Sequence, residues 1–299
     1  MLALVRAWVD KAGSPCKNCL MGKGAESLRA IETARANGSL TPANELVTLS
    51  RHLAPDDLAE IVEHVWIARW ELDDRAHVER EVVPFPCVNV VFGDHRPGVH
   101  GPVTSRFVAH LSGAGSVVGI KFRPAGFRAL LRPGIEPVQL VDHPFAVSRA
   151  LAAGVEATAL GAALATAETD AAKVDLVTRF VRAVHPGVDD DDREVNAVGD
   201  LARRDPTLTR VAWLAEHAGR PVRALERLFR SRIGVSPKWV IRRFRVQEAA
   251  ARLAKGIRVD LAALAQLLGY CDQSHLIQDF RSQVGRTPAR HLAHCAARA

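Results

Sequence analysis

Leu208-Thr209-Arg210-Val211-Ala212-Trp213-Leu214-Ala215-Glu216-His217-Ala218-Gly219 leads into Pro221 to Ile233 and closes with Gly234-Val235-Ser236-Pro237. The pattern returns as Leu261-Ala262-Ala263-Leu264-Ala265-Gln266-Leu267-Leu268-Gly269-Tyr270, then Asp272 to Val284, then Gly285-Arg286-Thr287-Pro288. Each copy reads as an apolar helix with alanine where a second helix must come close. A glycine at a tight turn, a polar-faced second helix and a closing Gly-x-[Ser/Thr]-Pro follow. This is the layout of a helix-turn-helix unit, whose second helix enters the DNA major groove while the first braces it across the backbone. A single such pattern is common. Two copies with the same closing motif predict a chain that reads successive groove faces without needing a dimer.

The faces follow from helical spacing. In the first unit a helix is expected over Thr209 to Ala218, capped by Thr207, with Val211, Leu214 and Ala215 buried. The second helix starts near Pro221, whose missing N–H suits a first-turn position. Leu225, Leu228 and Phe229 point inward at i, i+3, i+4, so Arg223, Glu226, Arg227 and Arg230 point outward. In the second unit Asp272 is a good N-cap, Leu276 and Phe280 are core, and Gln273, Ser274, His275, Gln278 and Arg281 are outside. Arginine can hold guanine O6 and N7 together, and glutamine matches adenine; serine and histidine suit phosphates or base edges. Lys238 to Lys255 joins the units as an amphipathic helix, with Val240, Ile241, Phe244, Val246, Ala249, Ala250 and Leu253 for burial and Arg242, Arg243 and Arg245 adding positive charge. It would span roughly 24–27 Å, which with side packing holds two reading helices about one turn of DNA (~34 Å) apart.

Residues 195–292 resemble the DNA-binding domain of the AraC/XylS family of transcriptional regulators. The resemblance rests above all on Gly269-Tyr270, Asp272-Gln273-Ser274-His275-Leu276, Phe280, Gly285 and Thr287-Pro288. It implies that Arg223, Glu226 and Arg227 read bases and that Arg230 touches phosphate.

Charge divides the chain in the same way. From Arg193 to Ala299 there are 20 Lys+Arg against 9 Asp+Glu, a net +11 within an overall +7, so the remainder is at −4. A basic domain beside a mildly acidic one points to a polyanion contacted by the C-terminal part alone.

Upstream, residues 53–186 are expected to form a sensor-like or dimerisation domain. Ile61 to Leu72, Val82-Val83, Cys87 to Phe92, Arg106 to Leu111 and Val117 to Phe122 are rich in β-branched and aromatic residues, with Gly- and Pro-rich turns between them. They read as an antiparallel sheet or small barrel. A short helix at Gly126 to Leu131 and longer helices near Pro144 to Ala167 and Ala171 to Ala183 flank it. The fold class is therefore α+β, an N-terminal antiparallel sheet or small barrel with flanking helices and then an all-α domain over residues 194–294 holding both helix-turn-helix units. Residues 53–186 also resemble the N-terminal sensor-like domain of some AraC-type regulators. That likeness rests on Trp66 to Trp70, Val82-Val83-Pro84, Val88 to Phe92, Gly101-Pro102 and Gly119 to Gly126, and departs from the pattern at Pro84-Phe85-Pro86-Cys87. Residues 187–193 read as an acidic linker, because Pro186-Gly187 break a helix and Asp189 to Asp192 repel one another. Residues 1–52 read as an extension, partly disordered or helical, with a helix from Glu26 to Ala36.

Five cysteines make no disulfide framework, and no run approaches the ~18 apolar residues of a membrane span. With no export signal at Met1 to Val9, the expected location is the cytoplasm, on the nucleoid. No phosphate loop, dinucleotide fingerprint, nucleophile elbow or His-Glu-x-x-His helix is present, so no catalytic residue, metal or cofactor is assigned. Double-stranded DNA is the expected partner. A small-molecule effector, RNA polymerase and a second copy of the chain are further candidates, with no membrane partner. Two alternatives differ in class. Cys16-Lys17-Asn18-Cys19, completed by Cys87 or His77, would make a thiol- or zinc-dependent enzyme fused to a DNA reader. A middle domain that only dimerises would make a constitutive DNA-binding protein without a ligand.

Overall fold

Strand β2 (Val62–Glu71) is the centre of the N-terminal domain, and its side chains alternate between two buried faces. In the computed structural model, which describes residues 40, 46–73, 77–205, 208–255 and 260–297, it belongs to a five-stranded antiparallel sheet. The strands are β1 (Val47–Leu53), β2, β7 (Ala114–Phe122), β4 (Asn89–Gly93) and β5 (Gly98–His100), paired in that order. A separate ribbon pairs β3 (His77–Val82) with β6 (Phe107–Ser112). Val65, Ile67, Val90, Ile120 and Phe122 on one side of the sheet pack against two helices, α2 (Gly154–Thr166) and α3 (Asp170–Val184), which follow the single turn α1 (Val147–Ala150). On the other side Trp70, Val91 and Val117 meet Leu111 of the ribbon. Both faces are covered, as a sheet with two apolar faces requires.

The two tryptophans of β2 explain two glycines of β7. Trp66 sits opposite Gly119 and Trp70 opposite Gly115, and each indole fills the space a side chain on its glycine would need. The rings are held there, because Trp66 Nε1 donates to Asn89 Oδ1 (3.1 Å) and Trp70 Nε1 to Ser112 O (3.2 Å). A Cβ at Gly119 would lie 2.0 Å from the Trp66 ring. Gly119→Ala is therefore expected to destabilise the protein by about 1–3 kcal/mol, read as a lower urea midpoint at unchanged slope.

The C-terminal half is helical throughout. Its helices are α4 (Asp190–Arg204), α5 (Val211–His217), α6 (Val222–Ile233), α7 (Pro237–Leu253), α8 (Leu261–Leu267), α9 (Gln273–Val284) and α10 (Pro288–Ala296). Helix α7 has a foot in each of two cores. Val240 and Ile241 join Leu214, Leu225 and Phe229, whereas Val246, Ala249, Ala250 and Leu253 join Leu264, Leu276 and Phe280. The rest of the helical core reaches into the sheet domain, since Ala125 belongs to the first cluster and Leu40 and Val83 to the second.

The α+β class is as read from the sequence, but two boundaries are not. β1 pairs with β2 along its whole length from Val47, so the sheet begins ahead of residue 53. Apart from Leu40 and Leu46, the rest of the expected extension, including the Glu26 to Ala36 helix and the Cys16/Cys19 pair, lies outside the described residues. Nor is 187–193 connecting chain throughout, since α4 begins at Asp190. Asp189 caps α4 by accepting from Asp192 N (2.8 Å), while the Asp192 side chain returns to Asp189 N (3.4 Å). The four aspartates tolerate one another because a helix N-terminus favours anions and because arginines from elsewhere reach them. Arg232 bonds Asp189 (2.6 Å), Asp191 (2.8 Å) and Asp192 (3.1 Å), and Arg220 bonds Asp191 (2.8 Å) and Glu194 (2.6 Å).

A candidate nucleic-acid interface

Helices α5–α6–α7 and α8–α9–α10 are two copies of one three-helix unit. Leu214, Ala215, Leu225, Phe229 and Ile233 fill the first, and Leu264, Ala265, Leu276, Phe280 and Val284 stand at the matching places in the second. Ala215 and Ala265, the alanines expected where a second helix comes close, are both buried. The turns are at Gly219 (φ 61°) and Gly269 (φ 65°), backbone that an L side chain adopts only with strain. Both second helices have 12 residues and end on a left-handed glycine, Gly234 and Gly285, each at φ 78°. Ser236 and Thr287 then cap the next helices, accepting from Trp239 N and Arg290 N. The closing Gly-x-[Ser/Thr]-Pro is thus one device, a helix stop followed by a helix start.

Small offsets separate the predicted and observed starts. Helix α5 begins at Val211 with Arg210 at its cap, and Thr207 lies outside the described residues. Pro221 is the N-cap of α6 rather than its first helical residue. Asp272 caps α9 as read, accepting from His275 N at 2.8 Å.

On α6, Arg223, Arg227 and Arg230 are exposed and Glu226 is half-buried; on α9, Gln273, Ser274, His275, Gln278 and Arg281 are exposed. Among the described residues none of Arg223, Arg227, Arg230 and Arg281 has an ion-pair partner in the protein. The neighbouring arginines are spent internally. Arg242 pairs with Asp279, Arg243 is fully buried over the Trp239 ring and donates to Val103 O, and Arg245 is buried with its guanidinium 3.6 Å from the Tyr270 ring. The outward charge expected from Arg242, Arg243 and Arg245 is therefore wrong for the last two. Burial pushes the Arg243 pKa down to about 10, which leaves it charged near neutral pH.

On the inner face of α9, Asp279 is almost fully buried and accepts from Tyr270 Oη (2.9 Å), Gln283 Nε2 (3.0 Å) and Arg242 Nε (3.1 Å). Tyr270 in turn meets His275 edge-on, ring centres 5.3 Å apart. The sequence reading missed Asp279, although a lone acid on the inner face of an amphipathic helix is a signal that a cation must follow it inward.

His291 packs on Phe280 and is fully buried; burial, then the nearby Arg286 and His294, push its pKa down to about 4. The unfolded chain takes up a proton near pH 6.5, where the folded protein does not. Stability is therefore complete above pH 6.5 and is lost as pH falls toward 4. His291 alone is expected to cost the protein about 2 kcal/mol between pH 7 and pH 5, and His291→Gln should flatten that part of the urea-midpoint profile.

Cys87 is buried beside β4 with Asn89 Nδ2 3.8 Å from its sulfur, and burial pushes its pKa up to about 12. It is a neutral thiol at neutral pH.

A model described as a helix-turn-helix domain matches residues 214–294. The chain carries an AraC-type helix-turn-helix domain. Its matched segment takes in both turns, both exposed helices and α7, the elements of a DNA-binding transcription regulator. A second model, described as a domain of unknown function (DUF6597), matches residues 50–143, within the sheet domain. No curated protein matches the sequence. Among solved structures the chain is similar to ToxT from Vibrio cholerae. One ToxT structure is 13% identical, with 83% of this chain and 97% of that chain covered at a TM-score of 0.38. Another, of unsaturated fatty acid-bound wild-type ToxT, is 13% identical, covering 84% and 96% at a TM-score of 0.33. Beside the AraC-type domain, no helix among the described residues is long and apolar enough to cross a membrane.

Proposed function

We propose that the protein is a sequence-specific regulator that lays α6 and α9 into successive major grooves of one duplex. The observation that carries this reading is the split among its arginines. Those on the outer face of α6 and α9 are left uncommitted, while Arg242, Arg243, Arg245 and Arg286 are paired or covered within the protein. Groove reading needs that division, because base edges are read by side chains free to meet them and positioned by a stiff frame. Arg223 and Arg227 are assigned to guanines, Glu226 to a cytosine amino group, and Gln273 and Gln278 to adenines; Ser274 and His275 take base edges or phosphate, and Arg230 and Arg281 take phosphate. The sheet domain is assigned effector response or dimerisation, with RNA polymerase a partner of the bound complex.

The test is selection of bound duplexes from a random library with the full chain. Recovery of a site with two distinct elements about one helical turn (10–10.5 base pairs) apart is expected. Binding that shows no consensus and collapses with salt, as phosphate contact alone does, would reduce the interface to a basic surface.

A further inference from the structure

The far ends of both exposed helices rest on the sheet domain, and both meet one two-armed bracket within it. One arm is the segment from Gly101 to Arg106. Val103 O accepts from Arg243 of α7, and Arg106 Nη1 donates to Val284 O, the last residue of α9, at 3.1 Å. Arg106 also lies 3.4 Å from Glu81 of β3, which pairs with Arg286 just past α9. A Cβ at Gly285 would fall on the Arg106 guanidinium. The other arm runs from Pro137 to Asp142. It lies so close to Gly234, at the end of α6, that a Cβ there would be 2.6 Å from Pro137 O.

The arms are stitched to each other. Asp142 takes the left-handed conformation (φ 61°), which aspartate tolerates better than most residues. Its carboxylate accepts from Thr104 N and from Thr104 Oγ1, both at 2.7 Å, and its own N–H donates to Pro102 O at 3.0 Å. One stitched piece of the sheet domain therefore bears on the closing glycines of both units and on the helix between them.

We propose that this bracket sets the spacing and angle of α6 and α9, so that Asp142 and Arg106 are positioning residues for DNA reading although neither faces the groove. The inference rests on the tandem reading given above. A bracket of this kind acts on register, not on the strength of any one contact. Moving one element by one base pair turns it by about 35° and shifts it by ~3.4 Å, a displacement a fixed pair of helices cannot follow.

The experiment measures binding of the full chain to three kinds of duplex: both elements at the selected spacing, both elements one base pair closer or farther, and each element alone. Wild-type protein should lose about tenfold or more when the spacing changes, comparable to a mismatched base pair. Asp142→Ala and Arg106→Gln should bind single elements like the wild type but lose less than about threefold on respacing. Asp142→Asn, which keeps an acceptor for Thr104 N, should restore the wild-type penalty. An unchanged respacing penalty in both Arg106→Gln and Asp142→Ala overturns the inference, and Arg106→Gln alone decides it if Asp142→Ala does not fold. Failure of the wild type to prefer either element would instead overturn the tandem reading on which the bracket depends.

Discussion

Asp279→Ala is expected to cost the protein about 3–5 kcal/mol, the range for removing one partner of a buried ion pair. The carboxylate is the common acceptor for Tyr270, Gln283 and Arg242, and it lies almost fully out of water. With alanine there, the Tyr270 hydroxyl and the Gln283 amide lose their acceptor inside the second unit, each orphaned group carrying a desolvation penalty of ~1–3 kcal/mol. The Arg242 side chain is 43% exposed and can turn partly to solvent, which sets the expectation toward the lower end. Asp279→Asn keeps an acceptor but no charge, and should fall between the two. Urea denaturation at pH 7 provides the measurement; a loss for Asp279→Ala no larger than that of an ordinary surface change, about 0.5 kcal/mol, would show that the network is not what holds α9 to α7.

Arg227→Ala should weaken binding to the selected duplex roughly 10- to 100-fold, the equivalent of one good guanine contact at about 1–3 kcal/mol. The loss should be confined to one half of the site. Gln278→Ala should weaken the other half and leave the first unchanged. Arg230→Ala should reduce affinity evenly for all sequences and lower the salt slope by about one. These side chains are exposed, so their melting temperatures should remain those of the wild type. Equal loss on matched and scrambled duplexes by Arg227→Ala would move that residue from base reading to backbone contact.

Most of the helical half was readable in the linear order of residues, because its determinants are local. Leu225, Leu228 and Phe229 declare a helix face at short spacing, Gly234 and Gly285 stop helices by their backbone freedom, and Asp272 starts one with its own carboxylate. What escaped depended on partners far along the chain. Asp189 to Asp192 look like a solvated run until Arg232 and Arg220 are brought to them from beyond α5. Arg243 and Arg245 look like surface charge on an amphipathic helix until Val103 of the sheet domain and the ring of Tyr270 cover them. β1 escaped for a different reason. It is an edge strand whose residues are mostly exposed, so Val47 to Leu53 show no apolar run, and only pairing with β2 makes it a strand. The bracket from Gly101 to Asp142 has no local signal beyond its glycine and prolines.

Helix α7 belongs to both units at once, and this makes the distance between them a matter of rotational phase. Each residue of an α-helix advances about 1.5 Å and turns about 100°. One residue inserted at the middle of α7 would swing α9 through more than a quarter circle relative to α6. Three or four inserted residues would bring it nearly back into line, one helical turn farther off. On the tandem reading proposed above, the length of this one helix works as an address: it fixes the phase that the bracket then holds, and so the operator pitch that the two helices fit.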